Sequence, residues 1–309
     1  MLRDFIILDE NFMQLDQSIG RRIDGLIGGR MFWGAVLDIN YKKNVITLHN
    51  KRSFVPPVDR AFQKLPITIE DHKPYFFANL AMYKGGDIGV KLLLDTGSSL
   101  GVLYFLDTHE SLQLPEKYVE GPLGTGLGGA VLGYKAKFKS LHLNNSLFFY
   151  NLVASYQVLD KYTDPETFNN RNGLIGNPLL SRFHIIIDYT DRQLYLKPVK
   201  KYNQGLEYDK SGLIVFAVGQ NLNDFVVKYV IKGTPAHKAG IQVGDKIKGV
   251  GIVPAKLMSL GGINAKLNGK EGKKIKMKLL RGDQKIKKTF GLEDYLIVRS
   301  YIDIDPKSN

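Results

Sequence analysis

The sequence has no cysteine and only one tryptophan among its 309 residues. Without cysteine there can be no disulfide, no thiolate zinc site and no thiol nucleophile, although the cellular compartment stays open. No apolar run reaches the roughly 18 residues of a membrane-spanning helix. The first residues, MLRDFIILDENF, place a charge inside a short apolar run and lack a small-residue cleavage site, so no signal peptide is predicted.

Six histidines are scattered without the spacing of metal ligands, so neither a metal site nor a cofactor is predicted. Positive charge is plentiful, with a net charge of +13. Between Asp245 and Lys288 there are 13 Lys and Arg residues against 3 Asp and Glu residues. This stretch is either a solvated sheet face or a surface for an anionic partner. Because it has no Arg-rich helix or pattern of stacking aromatics, a nucleic acid is not predicted as the partner.

Glycine and aromatic residues indicate the fold class. The 32 glycines and an aromatic content of 11% favour a mostly β chain with many turns. Runs of strand-forming residues, broken by Gly and Pro, follow one another over 66–200, and the length indicates about two domains. A polar, charged linker is predicted at 197–212.

The chain contains an internal repeat. DGLIGGRMFWGAVLDINYKKNVITLH at 24–49 resembles NGLIGNPLLSRFHIIIDYTDRQLYLK at 172–197, with a constant offset of 148 positions and no gap. Each copy is predicted to form a tight Gly-Leu-Ile-Gly turn followed by two strands that a polar hairpin joins. Residues 1–52 are therefore predicted to be the back half of a unit whose complete version spans 66–200.

The complete copy carries a motif with chemical meaning. VKLLLDTGSSLG at 90–101 ends an apolar strand in Asp95-Thr96-Gly97-Ser98, and Leu174-Ile175-Gly176 follows downstream. Between them lies a glycine-rich hairpin with Gly124, Gly126, Gly128 and Gly129. The spacing of these glycines also matches the dinucleotide-binding fingerprint. That fingerprint needs a helix after the glycines, but the residues that follow alternate as in a strand, so nucleotide binding is not predicted.

In combination, these motifs resemble the retropepsin-like aspartic proteases, a family found in bacteria and in retroviruses. The resemblance implies an acid-protease β-barrel, one full unit plus a partial N-terminal copy, that acts as an aspartic endopeptidase on peptide or protein substrates. It implies that Asp95 is catalytic and that Thr96, Gly97 and Ser98 set its geometry. It further implies that Leu174, Ile175 and Gly176 pack behind the aspartate loop and that the glycine-rich hairpin is a flap.

The chemistry requires a second carboxylate, because two aspartates that share one proton act as the base and the acid of peptide hydrolysis. The sequence has one Asp-Thr-Gly. Asp38 and Asp188 also follow apolar runs, but Ile39 and Tyr189 come next. The partner aspartate is expected from a second chain or from a missing part of the first lobe. The alternative is a catalytically incomplete protease fold that serves as a peptide-binding or scaffold protein.

The C-terminal part carries a second resemblance. FVVKYVIKGTPAHKAGIQVGDKIKGVG at 225–251 resembles the PDZ domain of bacterial proteases, and a PDZ domain is predicted over 205–296. The resemblance implies that a peptide C-terminus adds as an extra strand while backbone N–H groups hold its carboxylate. A groove helix capped by Ser259 is predicted up to Leu267. The alternative is a module that only docks on the protease unit. The residues predicted to form the groove are Gly212, Leu213, Ile214, Ile263 and Leu267.

Family resemblance places the site of action in the bacterial cell envelope or periplasm, although the chain shows no export signal. The predicted partners are a peptide or protein substrate and the source of the second aspartate, with no transmembrane segment.

Overall fold

The computed structural model of the protein describes residues 14–84, 86–126, 129–159 and 171–296. Gly128 of the predicted flap and the first 13 residues of the predicted partial lobe lie outside these described residues.

The described residues form a mostly β structure, which confirms the predicted fold class. The strands, in chain order, are β1 (Ala35–Asn40), β2 (Val45–Asn50), β3 (Gln63–Pro66), β4 (Thr68–Glu70), β5 (Lys73–Ala81), β6 (Asp87–Asp95), β7 (Val102–Phe105), β8 (Tyr118–Gly126), β9 (Gly129–Lys137), β10 (Ser140–His142), β11 (Phe148–Tyr150), β12 (Val153–Gln157), β13 (Gly173–Gly176), β14 (Phe183–Asp188), β15 (Gln193–Pro198), β16 (Leu213–Val218), β17 (Asp224–Val230), β18 (Lys246–Val250), β19 (Val253–Pro254), β20 (Lys274–Arg281) and β21 (Gln284–Gly291).

Four short α-helices are described, α1 (Leu15–Ile19), α2 (Asn177–Leu180), α3 (Pro235–Lys238) and α4 (Leu260–Leu267). Single 3₁₀ turns occupy 29–32, 51–53, 106–108 and 255–257. The helices begin where the sequence favours a start: Pro178 and Pro235 stand in the first turns of α2 and α3. The Ser259 hydroxyl accepts the Gly262 N–H at 3.1 Å, which confirms the predicted cap of α4.

The two copies of the repeat form one sheet. Its strand order is β2-β1-β14-β15-β3, and all pairs are antiparallel. The bounds of β1 and β2 fall 148 positions before those of β14 and β15, so the two hairpins are the same element. Asp38 pairs with Ile186, its own equivalent, at the centre of the β1–β14 ladder. A local two-fold axis therefore passes between the two copies.

A ten-stranded sheet carries the complete copy. Its order is β11-β10-β5-β6-β13-β7-β12-β9-β8, with β4 paired to β5. Strand β13 lies parallel to β6 and antiparallel to β7. Alternating burial along β6 directs Val90, Leu92 and Leu94 into the core. The core, which also includes Tyr104 and Tyr156, fixes the register at which β6 ends in Asp95.

A six-stranded sheet forms from the C-terminal residues, in the order β16-β17-β18-β20-β21 with β19 paired to β18. Strand β16 is an edge strand, and α4 packs beside it. Ile263 and Leu267 of α4 join Val215 and Val227 in the core of this sheet.

The described residues group into two compact units. The first takes 27–118 and 133–206, and the second takes 14–26, 119–132 and 207–296. Two segments that are distant in sequence, the one with α1 and the one with the glycine-rich hairpin, thus group with the C-terminal sheet. The limits predicted from the sequence, 1–52, 66–200 and 205–296, stay predictions.

Candidate functional site

Asp95 stands at the end of β6, where the strand turns. Its carboxylate Oδ1 accepts the N–H of Gly97 at 3.0 Å and the N–H of Ser98 at 3.1 Å. The side chain is half-buried, and Thr96 and Gly97 are exposed. A short acidic side chain that accepts from the next residues is the usual way in which Asp closes a turn. The turn therefore presents a carboxylate of fixed orientation at the surface of the first unit.

Strand β13 holds this turn from behind. Gly176 pairs with Asp95 in the parallel ladder, and Ile175 is fully buried between β6 and β7. The Gly176 N–H donates to the Gly101 carbonyl at 2.9 Å, and the Asn177 N–H donates to the Ser98 carbonyl at 3.0 Å. The prediction of a turn at Leu174, Ile175 and Gly176 is wrong, because these residues form strand β13, but they do contact the predicted active-site loop.

The approach of β13 to its neighbours is close enough to require glycine. A Cβ on Gly173 would lie 1.9 Å from the Leu103 carbonyl oxygen, and a Cβ on Gly176 would lie 2.0 Å from the Leu100 carbonyl oxygen. Both contacts are with backbone, which has little freedom to shift inside a paired sheet. The spacing of these two glycines is a packing requirement of the site.

Asp38 is bound by two histidines, so it differs from Asp95. The Nε2 atom of His184 lies 2.6 Å from Asp38 Oδ1, and the Nε2 atom of His49 lies 3.4 Å from Oδ2. Asp38 lies within β1, on the local two-fold axis, and not in a turn after a strand.

Asp188 is fully buried, and its carboxylate is already bound. Its Oδ1 accepts the N–H groups of Thr190 and Asp191, and its Oδ2 accepts from Lys51 Nζ at 2.5 Å. Neither Asp188 nor Asp38 repeats the surroundings of Asp95. Among the described residues, Asp95 is therefore the one aspartate that lies in an Asp-Thr-Gly turn, as the sequence predicts.

Arg171, two residues before β13, is a charged residue that sequence reasoning did not single out. Its guanidinium stands 5.4 Å from the centre of the Phe105 ring. Burial lowers the pKa of Arg171, while Tyr75 and Asp95 act on that pKa in the opposite direction. In the parallel ladder Gly173 lies opposite Leu92, so Arg171 precedes the paired residues and lies toward the part of β6 that is distant from Asp95 in sequence.

The glycine-rich hairpin consists of β8 and β9, as expected for a strand pair. Gly124 and Gly126 lie in β8, and Gly129 begins β9. Residues 119–132 group with the second unit, whereas Asp95 belongs to the first. The role of the hairpin as a flap over Asp95 stays a prediction.

The predicted peptide groove lies between β16 and α4. Gly212 adopts φ +81°, and a Cβ there would lie 2.0 Å from Thr234 Oγ1, so only glycine fits. Leu213, Ile263 and Leu267 are buried in the core behind the groove, and Ile214 is half-buried. Four of the five residues predicted to form the groove are thus buried and Ile214 is half-buried, so their role in binding a peptide stays a prediction.

The loop before β16 contains an aspartate that sequence reasoning did not single out. Asp209 Oδ1 accepts the N–H groups of Ser211 at 3.1 Å, Gly212, and Leu213 at 3.2 Å. The Ser211 hydroxyl donates to Asp209 Oδ2 at 2.8 Å. The Asp-x-Ser-Gly sequence is a signal for such a turn.

Two kinds of feature were also sought among the residues that the structure describes. No group of three or more His, Cys, Asp or Glu side chains there is arranged to hold a metal ion. None of the described helices is both long and apolar enough to span a membrane.

Comparison with known proteins adds one family match. Residues 226–281 match the PDZ domain family. The match confirms the predicted PDZ resemblance, and such a module implies peptide binding. No curated protein matches the chain.

Solved structures similar to the chain include proteases. A retropepsin-like aspartic protease from Rickettsia conorii has 19% identity and a TM-score of 0.31, over 44% of this chain and 90% of that one. Two structures of the HtrA-type protease AlgW with decapeptide have 15% identity and TM-scores of 0.27 and 0.29. They cover 74% and 75% of this chain and 63% and 79% of theirs. At such TM-scores the likeness carries no argument about catalysis, which must come from the residues of the site.

Proposed function

We propose that the chain supplies one catalytic carboxylate of an aspartic endopeptidase, Asp95, and that its PDZ module binds peptide. The observation that supports this most directly is the turn after β6. There a half-buried Asp95 is oriented by two backbone N–H groups and backed by β13.

The proposed mechanism is the activation of water by a pair of aspartates. Two carboxyl groups about 3 Å apart share one proton, because both cannot ionise, and the pair then serves as base and acid. The ionised member takes a proton from water as the water attacks the amide carbonyl. The protonated member donates to the departing nitrogen. Ser98 and Gly97 keep Asp95 oriented through their N–H groups.

The second aspartate is proposed to come from a second copy of the chain or from a first lobe that completes the partial copy. Exposure of the partial copy supports this. Leu26 and Ile27 are 60% and 68% exposed, whereas their equivalents Leu174 and Ile175 are 8% and 0% exposed. Apolar residues that are buried in one copy and uncovered in the other indicate a surface that another lobe covers.

Peptidase assays test the proposal. Cleavage of quenched fluorescent peptides at pH 3–6 is expected to be inhibited by pepstatin and to fall at least about 100-fold in Asp95→Asn. Asp87→Asn, at the exposed start of the same strand, is the matched control and should retain full activity. Activity that rises with the square of protein concentration would assign the second aspartate to a second copy. Activity that survives Asp95→Asn contradicts the proposal.

The second candidate function is that of a peptide-binding or scaffold protein. It is favoured by the single Asp-Thr-Gly in the sequence. In that case the purified chain binds peptide but shows no pepstatin-sensitive cleavage at any concentration, alone or mixed with a polypeptide that carries a second Asp-Thr-Gly lobe.

A further inference from the structure

The groove of the PDZ module is bounded by an edge strand, a helix and a loop. Among the residues that the structure describes, β17 is the one strand paired with β16 in the sheet, so the other edge of β16 is the edge to which a strand would add. The Lys210 N–H donates to the Leu267 carbonyl at 3.2 Å, which places the C-terminal end of α4 at the loop. In PDZ domains, this is the end at which backbone N–H groups hold the carboxylate of a peptide.

At this end the N–H groups are already in use. The Asp209 carboxylate accepts the three successive N–H groups of Ser211, Gly212 and Leu213. Asp209 is itself held by Tyr295, whose hydroxyl donates to the Asp209 carbonyl at 2.8 Å. A ligand carboxylate would have to displace these bonds and would meet a like charge at short range. The loop is therefore built to reject a free C-terminus.

The opposite end of the groove is occupied by the chain itself. Helix α1 packs against β16, and Gly20, which ends α1, lies against Leu260, the first residue of α4. Gly20 has φ +75°, and a Cβ there would lie 2.6 Å from the Leu260 Cβ. The segment thus contacts the strand wall and the helix wall of the same groove.

We infer that the PDZ groove is built for an internal polypeptide segment and not for a free C-terminus, and that residues Leu15–Gly20 of the same chain are its resident ligand. An incoming peptide has to displace α1, so the segment competes with every external ligand. The inference deepens the proposed peptide binding and rests on that binding, but it does not depend on proteolysis.

A pair of glycine substitutions in the full chain tests the resident ligand, on an Asp95→Asn background that excludes cleavage. Gly20→Val forces α1 away from Leu260. Gly25→Val is the control, because no atom lies within 4 Å of a Cβ on Gly25. Hydrogen exchange of amides in β16 is expected to rise at least tenfold in Gly20→Val and not in Gly25→Val. Leu15→Asp, which places a charge within α1, should act like Gly20→Val. If hydrogen exchange in β16 is unchanged in both α1 variants, the inference that Leu15–Gly20 occupies the groove is overturned.

A labelled peptide with the sequence of residues 14–22, QLDQSIGRR, tests the ligand class by fluorescence polarisation. It should bind Gly20→Val at least tenfold more tightly than the parent chain, equally well as free acid and as amide. In Asp209→Ala combined with Gly20→Val, the free acid is expected to gain at least tenfold over the amide. A preference of the Gly20→Val chain itself for the free acid overturns the inference while leaving PDZ peptide binding intact. Loss of peptidase activity in the parent chain concerns only the proposed catalysis.

Discussion

Gly28 and Gly176 occupy equivalent positions of the repeat but lie in opposite surroundings. A Cβ on Gly176 would meet the Leu100 carbonyl at 2.0 Å and Ser98 Cβ at 3.0 Å, whereas no atom lies within 4 Å of a Cβ on Gly28. The same residue type is thus required by packing in one copy and is free of that requirement in the other.

This contrast predicts different costs for the same substitution. Gly176→Ala is expected to lower the free energy of unfolding by about 3 kcal/mol, because the added methyl group meets backbone that a paired sheet holds in place. Gly28→Ala is expected to change it by less than about 0.5 kcal/mol. Urea unfolding followed by circular dichroism measures both. Equal costs would show that β13 is not held tightly against the Asp95 loop.

A second prediction concerns Asp245, which is buried and paired with Arg281. The guanidinium donates to both carboxylate oxygens, at 2.7 and 2.8 Å. Burial alone would raise the pKa of Asp245, but the hydrogen bonds from Arg281 and from the Gln242 N–H outweigh it and lower the pKa below its ordinary value of 3.8. A lowered pKa means that the folded state favours the ionised carboxyl.

The stability that Asp245 contributes is therefore complete above pH 3.8, its ordinary value, and is lost as the pH falls through the lower folded-state value. Asp245→Asn is expected to lower the free energy of unfolding by about 2 kcal/mol at pH 7, because the neutral amide loses the charge-assisted hydrogen bonds from Arg281 to the buried carboxylate. The difference in the free energy of unfolding between the parent chain and the variant should shrink as the pH falls from 4 to 2. Asp283→Asn, in an exposed turn, is the control and should show no such convergence.

Local structure formed by residues near one another in sequence could be predicted. Contacts between residues that only the fold brings together could not. The turn at Asp95 and the Ser259 cap each follow from a few adjacent residues, whereas Gly173–Gly176, which the sequence predicts as a turn, forms strand β13. Gly176 lies beside Asp95 only because β13 pairs in parallel with β6. The role of Asp209 follows from the three N–H groups that donate to its carboxylate, and the Asp-x-Ser-Gly motif signals a turn without specifying those donors.

At the scale of elements, the repeat predicts two identical hairpins, and the structure has them with matching bounds. Their burial differs. Leu194 and Leu196 of β15 are 0% and 1% exposed, whereas Ile46 and Leu48 of β2 are 68% and 55% exposed. Sequence similarity predicts the shape of each hairpin, but burial depends on which neighbours cover it. Helix α1 was not predicted, because a five-residue helix has no periodicity to read.

The uncovered strand β2 predicts self-association. Strand β2 lies at the edge of its sheet, and its apolar side chains are exposed to solvent. Such an edge can pair with a strand of another chain. Ile46→Lys is expected to weaken association at least tenfold in sedimentation velocity experiments, because a charge on an edge opposes strand pairing. Ile252→Lys is the control, since Ile252 is 95% exposed in a turn of the other unit. Equal effects of the two variants would point to solubility alone, and a monomer at high concentration would contradict the prediction.

At the scale of the whole molecule, the net charge is +13, and seven exposed lysines lie on the strands of the C-terminal sheet. Alternation along β18, β20 and β21 buries the apolar residues and exposes the lysines, so the solvated-face interpretation of the basic stretch accounts for its pattern. Lys278 stands directly opposite Lys287 in the β20–β21 ladder. The exposed lysines of this face are Lys246, Lys248, Lys274, Lys276, Lys278, Lys285 and Lys287.

Repulsion within this face predicts that salt stabilises the protein. Raising NaCl from 20 to 500 mM shortens the Debye length from above 20 Å to below 5 Å, so the free energy of unfolding is expected to rise. Lys278→Glu should raise stability at low salt by about 0.5 kcal/mol, because it places opposite charges across the ladder, and should reduce the effect of salt. Lys42→Glu, in the exposed turn after β1, changes the net charge equally and is the matched control. If both variants reduce the salt effect alike in urea unfolding, net charge and not the lysine face controls stability.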